Sequence, residues 1–225
     1  MSYLISKFFS KKEIESIYKA MEDGVWENGL RSLSIDPDKP NFDLSLIKKN
    51  SEIDLDLEAF YQTIRSNKEY YNYTYPLRVS HPIVSKTETG GYYNAHFDDP
   101  ASGNFSTTIF LNDPDTYNGG ELVLLIDGKE KMFKLKAGEG ITYETGTPHR
   151  VNKVIKGDRY AFIFWTQSII EDIEDLRMWT YYNMMTERYK NDLYYEDLIS
   201  FNNSLHTHFK QKCDKILRKY VCNFP

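Results

Sequence analysis

The chain has little of what would staple or anchor it from outside. It holds only two cysteines, Cys213 and Cys222, both close to the C-terminal end. The pair reads as reduced thiols of a cytoplasmic protein rather than as a disulfide framework. No stretch approaches the roughly 18 consecutive apolar residues of a membrane span, and residues 1–10 are too short and too polar for a signal peptide. Positive charge is also scarce, since 28 Lys and Arg against 33 Asp and Glu give a net charge of −5. Holding a phosphate backbone needs clustered positive charge, so neither nucleic acid nor a membrane is an expected partner. No internal repeat or low-complexity tract is visible.

What is present suffices for a self-supporting core. A chain of 225 residues buries roughly 70% of the surface its unfolded form exposes. Aromatic residues make up 15% of it, with 18 tyrosines, which points to a tightly packed aromatic interior or a ligand cleft. The patterning places helices at the ends and strands in the middle. Ser10 and Glu13 form a capping box, with Phe9 and Ile14 at the staple positions. Ile14, Ile17, Tyr18 and Met21 continue at helical spacing, and Gly24 is placed to end the helix. Residues 30–50 carry Pro37 and Pro40 and read as a long loop, either a plain connection or a lid over a site. Ile53, Leu57, Phe60, Tyr61 and Ile64 mark a second helix.

From residue 77 the period becomes that of strands, about eight of them, with Asp127-Gly128 as a strong two-residue hairpin signal. Pro82 interrupts the first of these. Short strands at this spacing indicate a sandwich or barrel. After residue 168 helical spacing returns in Ile169, Ile173, Leu176 and Trp179, and again in Leu198, Phe201, Leu205, Phe209, Ile216 and Tyr220. The expected organisation is therefore one mainly β domain with flanking helices (α+β). Residues 1–74 are helical support and loop, 75–168 the β core, and 169–225 a helical extension that either covers the core or forms an oligomer contact. The basic run Lys210, Lys212, Lys215, Arg218 and Lys219 reads as a solvated helix face.

Three residues carry the chemistry. In His96-Phe97-Asp98, the first and third side chains of a strand point to one side and present an imidazole and a carboxylate together. A His-X-Asp triplet arises easily by chance, so a third ligand must come from elsewhere. His149, opening a strand after the turn Gly146-Thr147-Pro148, is the best candidate. Two histidines and one carboxylate on one face of a metal leave its other positions open, as in non-haem Fe(II) oxygenases. Arg159 shares a strand face with Ala161, Ile163 and Trp165. Antiparallel pairing of residues 149–155 with 159–165 would bring it toward His149. An arginine pointing into a barrel is costly unless paired, and a bound carboxylate would pair it. His81, beside Pro82, and the His206–His208 pair read as surface or structural residues.

These residues and their surroundings resemble the iron- and 2-oxoglutarate-dependent dioxygenases of the prolyl-hydroxylase-like branch. The segments that carry the likeness are Tyr93-Asn94-Ala95-His96-Phe97-Asp98, Phe110-Leu111-Asn112-Asp113, Gly119-Gly120-Glu121-Leu122, Pro148-His149-Arg150-Val151 and Gly157-Asp158-Arg159-Tyr160-Ala161. The strings around Asp113 and Trp165 are most similar to the bacterial PKHD-type hydroxylases. The resemblance implies a double-stranded β-helix, or jelly roll, with Fe(II) held by His96, Asp98 and His149. It implies 2-oxoglutarate as cosubstrate with O2, its 5-carboxylate paired by Arg159, Tyr93 hydrogen-bonded to it and Thr108 lining its pocket. It also implies hydroxylation of a small-molecule or peptidyl substrate, with formation of succinate and CO2 and ascorbate as a candidate accessory. One departure is Ile163, where some relatives place a hydroxyl residue four positions after the arginine. Two other readings stay open at this point. A zinc hydrolase could use the same ligands, and a non-enzymatic jelly-roll binding module could retain them.

Overall fold

The computed structural model describes residues 3–22, 26–28, 45–49, 56–170, 172–188 and 200. In chain order these form β1 (Tyr3–Lys7), α1 (Lys11–Glu22), β2 (Glu27–Asn28), β3 (Ser45–Lys49), α2 (Leu57–Ser66), α3 (Lys68–Thr74), β4 (Pro76–Val79) and β5 (Ile83–Thr87). They continue through β6 (Tyr93–His96), a 3-10 turn (Pro100–Ser102), β7 (Phe105–Phe110), β8 (Asn118–Gly119), β9 (Leu122–Ile126), β10 (Lys129–Phe133) and β11 (Glu139–Glu144). The last elements are β12 (His149–Val151), β13 (Val154–Lys156), β14 (Arg159–Ser168) and α4 (Ile173–Arg188).

The strands form two principal antiparallel sheets. The major sheet runs β1-β11-β7-β14-β5-β3-β2, with β4 also on β14, and the minor sheet runs β10-β9-β12-β6. A short β13–β8 pair stands apart. Alternation along the strands decides what lies on each side of the major sheet. Phe162 and Phe164 of β14 and Ile109 of β7 pack with Phe8, Phe9, Ile14, Ile17, Phe60, Ile64 and Tyr70, so α1, α2 and α3 cover one face. Phe110 of β7 and Ile141 and Tyr143 of β11 pack instead with Leu122, Leu124, Ile126 and Phe133 of the minor sheet. A second core thus joins the two sheets face to face, which is the jelly roll that the sequence predicts.

Local chemistry sets the element ends. The capping box at α1 is formed: Ser10 N–H donates to Glu13 Oε2 at 2.7 Å, and Glu13 N–H donates to Ser10 Oγ at 3.4 Å. Helix α2 starts later than the apolar spacing suggests, because Asp56 accepts from the Ala59 N–H at 2.9 Å. Asn67 then closes α2 through its N–H to Ile64 and opens α3 by accepting from Tyr70 N–H at 3.0 Å. The hairpin turn is Asp127-Gly128, with φ of 52° and 72°, the two positive values a type I′ turn requires. Lys129 pairs with Ile126 directly across it, so β10 begins at once after the turn.

Several expectations need correction. Among the described residues, the N-terminal stretch holds three strands besides its helices. β1 adds to the edge of the major sheet beside β11, and β3 lies inside the predicted loop, paired with β5. Periodicity misses them because they are short and mixed in polarity. The predicted strand 149–155 is two strands, with β12 in the minor sheet and β13 on β8. Neither pairs with β14, which is flanked by β7 on one side and by β5 and β4 on the other. With apolar side chains buried on both faces, β14 takes a central position with long partners. Pro82 falls between β4 and β5, as its bend signal indicates, and His81 beside it is exposed. Gly24, most of the loop 30–50, Cys213, Cys222, His206, His208, the basic run and the helix expected over 198–220 lie outside the described residues. Among the described residues no helix is long and apolar enough to cross a membrane.

Phe164 sits among Phe8, Phe60, Tyr70 and Phe162, with ring centroids 5.3–6.5 Å away. Phe164→Ala should destabilise the protein by about 3–5 kcal/mol, read as a lowered denaturation midpoint with an unchanged slope. A loss below about 1 kcal/mol would mean that this cluster is not the core of the helical layer.

Candidate active site

β6 ends at His96 and β12 begins at His149, and the two residues are register partners in the minor sheet. Opposed residues of an antiparallel pair project to the same side, so the imidazoles meet, with ring centroids 4.2 Å apart. Each ring is oriented by its own backbone: His96 Nδ1 lies 2.8 Å from Asn94 O, and His149 Nδ1 lies 2.9 Å from Thr147 O. A carbonyl only accepts, so each Nδ1 carries a proton and each Nε2 is the ring nitrogen left facing the cavity. Both Nε2 atoms face Asp98 Oδ1 at 3.6 Å. The three donor atoms all lie within 4.8 Å of one another, and among the described residues this is the one such His, Cys, Asp and Glu cluster.

Electrostatics favour a charged carboxylate at Asp98. Burial alone would raise the Asp98 pKa, but it is outweighed by the hydrogen bond to His96, the charge of His149 and the Ser106 and Trp165 donors, and the pKa is held at about 2. Burial pushes the His149 pKa down, against the pull of Asp98. This is the protonation state that a metal site requires.

The loop carrying Asp98 is pinned at its far end. Asp99 accepts from Ala101 N–H at 2.9 Å to start the 3-10 turn. Gly103, at φ 145°, lies so close to β14 that a Cβ would meet Thr166 O at 2.5 Å. Asn104 then donates its N–H to Thr166 O at 2.8 Å and accepts from Ser168 N–H at 2.7 Å.

All six residues singled out from the sequence (His96, Asp98, His149, Arg159, Tyr93 and Thr108) line one cavity of about 520 Å³ between the sheets. A larger hollow of about 880 Å³ beside α4 holds none of them. Its charged Glu144, Arg177 and Glu174 are paired with one another. Arg159 reaches the smaller cavity from β14 although its strand pairs differently from the prediction. It is 2% exposed, its Nε has no hydrogen-bond partner, and no carboxylate lies within ion-pair distance of it among the described residues. Its guanidinium lies 5.3 Å from the centre of the Phe110 ring. Burial lowers its pKa, opposed by Tyr117 and Tyr143. An arginine still stays charged, and an unpaired charge at such depth is costly.

Ile163 faces the cavity, so the departure noted in the sequence stands. Its register partner across to β7 is Thr108, which puts a hydroxyl one strand over from the position where relatives carry it. The sequence reading misses Tyr143, which is buried on β11 with its ring 5.2 Å from that of His149. Its phenol pKa is raised by burial and by Asp98, opposed by a hydrogen bond with Thr108 and by Arg159. Period two along β11 could have marked it as inward-facing, but nothing local ties it to a site. Ser106 and Trp165 are missed for the same reason.

The donor set fits a divalent first-row transition metal such as Fe(II), and the unpartnered guanidinium fits a carboxylate ligand in the same cavity. Comparison with known proteins agrees with that chemistry. Residues 82–167 match the profile of the 2OG-Fe(II) oxygenase superfamily. A PKHD-type hydroxylase of Thermosynechococcus vestitus is 31% identical over 176 residues, covering 75% of this chain and 79% of the relative. The fold is similar to that of a Pseudomonas putida prolyl-4-hydroxylase, with a TM-score of 0.55, 14% identity and coverage of 74% of this chain and 92% of the other. It is also similar to a Trichoplax adhaerens prolyl hydroxylase solved with a hypoxia inducible factor peptide fragment, with a TM-score of 0.53, 15% identity and coverage of 79% and 86%. A cavity that joins two histidines, one carboxylate and a buried arginine thus stands in a chain with this likeness in sequence and in fold, and the chain belongs to the 2OG-Fe(II) oxygenase superfamily, in its PKHD-type hydroxylase branch.

Proposed function

We propose that, in this Fe(II)- and 2-oxoglutarate-dependent dioxygenase, His96, Asp98 and His149 hold the iron and Arg159 holds the 5-carboxylate of the cosubstrate. The observation that carries the reading is the buried Arg159 guanidinium, which has no carboxylate of the described residues to neutralise it and opens on the cavity that the triad lines. When bound together, iron, 2-oxoglutarate and O2 supply the oxidising chemistry that hydroxylates a C–H bond and releases succinate and CO2. The chain contributes binding, orientation and exclusion of water.

Each residue has a separable task. The Asn94 and Thr147 carbonyls hold the two rings so that both Nε2 atoms converge with Asp98 Oδ1. Arg159 grips a carboxylate with two parallel N–H donors in a site from which water is largely excluded, where such pairs are strongest. Thr108 and Tyr143 supply the hydroxyls that Ile163 cannot, and Tyr93 closes the cavity beside His96, its ring centroid 5.5 Å away. The substrate enters from the side of Phe97, which is 65% exposed between the two ligands. A peptidyl substrate is supported by the Trichoplax relative's peptide complex, and a small molecule fits the same mouth. The zinc-hydrolase reading leaves Arg159 without a purpose, since hydrolysis needs no second carboxylate clamp, and the binding-module reading leaves the complete ligand triad without one.

Arg159→Ala should raise the half-saturating 2-oxoglutarate concentration by about a hundredfold or more, the equivalent of losing a desolvated charged pair worth about 3–5 kcal/mol. The iron requirement should change little. Succinate release measured while each component is varied in turn checks this, and equal effects on both requirements would remove the assigned role. His149→Ala should abolish both the visible charge-transfer band formed anaerobically with Fe(II) and 2-oxoglutarate and the later succinate release. Turnover near the unmodified rate would sink the ligand assignment.

A further inference from the structure

The two oxygens of Asp98 are not equivalent. Oδ1 faces both histidines at 3.6 Å. Oδ2 accepts the Ser106 hydroxyl at 2.5 Å and the Trp165 indole N–H at 2.9 Å. Ser106 and Trp165 stand directly opposite each other on β7 and β14, so the two donors form one cross-strand pair of the major sheet. Asp98 follows β6, which belongs to the minor sheet. The carboxylate is therefore gripped from across the cavity by the sheet it does not belong to. Ser106 is buried and Trp165 half-buried, so these bonds compete little with water.

From this geometry we infer that Ser106 and Trp165 are positioning residues that restrict Asp98 to binding the metal through one oxygen. The inference rests on Asp98 being a metal ligand, as proposed above. A carboxylate can bind a metal through one oxygen or through both. An oxygen offers two in-plane lone pairs, and both of those on Oδ2 are engaged by donors. Only Oδ1 is left to point at the metal. A released carboxylate could turn and use both oxygens, occupying a position that the cosubstrate or O2 requires. Both donors are neutral, so they fix the orientation of Asp98 without cancelling its charge. Because both donors belong to the major sheet and Asp98 follows a strand of the minor sheet, the two bonds also tie the sheets together beside the triad.

The test uses the full-length, metal-free protein and its Ser106→Ala, Trp165→Phe and Asp98→Ala variants. Trp165→Phe removes the N–H and keeps a ring, and Ser106→Ala removes only the hydroxyl. Each is titrated anaerobically with Fe(II) at saturating 2-oxoglutarate, following the charge-transfer band, and a thermal melt of the metal-free form checks folding. Both single donor variants should raise the half-saturating Fe(II) concentration about tenfold. They should also show a weaker band at full saturation, because a two-oxygen Asp98 competes with the cosubstrate. A purely structural role would lower the melting temperature and leave the saturated band unchanged. If Asp98→Ala loses the metal while both donor variants keep unmodified affinity and band, the restriction is wrong and the ligand assignment stands. If Asp98→Ala binds as the unmodified protein does, the ligand assignment fails and the inference fails with it. Should one donor variant not fold, the other decides the matter alone.

Discussion

Everything in the molecule depends on the alternation of one strand, β14. Its Phe162 and Phe164 anchor the layer of α1, α2 and α3, while Arg159, Ile163 and Trp165 line the cavity on the opposite face. The strand is flanked along its length by β7, β5 and β4, so its register is fixed from both sides. A slip of one residue would send the guanidinium into the aromatic core and the phenylalanines into the cavity. Such a slip would bury the guanidinium among aromatic rings, away from the cavity in which a carboxylate ligand could reach it. The pairing that makes the fold cohesive is thus the same pairing that makes the site possible.

The minor sheet contributes the other half of the chemistry on much less structure. Two short strands, β6 and β12, deliver both histidines through a single register pair. Their rings need no distant partner for orientation, since each leans on a carbonyl two residues earlier in its own chain. The carboxylate differs in depending on the major sheet. The metal-binding set is therefore mixed: two residues oriented locally and one oriented across the interior.

Most of the site was legible before the fold was known, because its signals are local. His96 and Asp98 share a strand face by spacing, Arg159 shares one with Trp165, and the turn before His149 is written in Gly146-Thr147-Pro148. What was not legible is what depends on pairing between distant segments. The sequence does not reveal that β14 passes over the adjacent strand for β7 and β5, or that β1 and β3 join the sheet at all. Nor does it reveal that Thr108 stands across from Ile163. Tyr143, Ser106 and Trp165 belong to this class, since their roles exist only once three strands are side by side. Helix ends were read well where the cap is an adjacent side chain, as at Ser10, and less well where Asn67 serves two helices at once.

The anchoring of Gly103 and Asn104 against β14 bears on how such a chain can vary over evolution. The stretch between His96 and Asn104 is tethered at one end by the minor sheet and at the other by Thr166 and Ser168. An inserted or deleted residue there can be absorbed only in the exposed turn around Pro100–Ser102, since both ends are held. The β9–β10 turn is the opposite case, because nothing lies within 4 Å of where a side chain at Gly128 would begin. Lineages descended from this architecture are therefore free to lengthen that turn, while the span that carries the carboxylate varies only between two fixed ends.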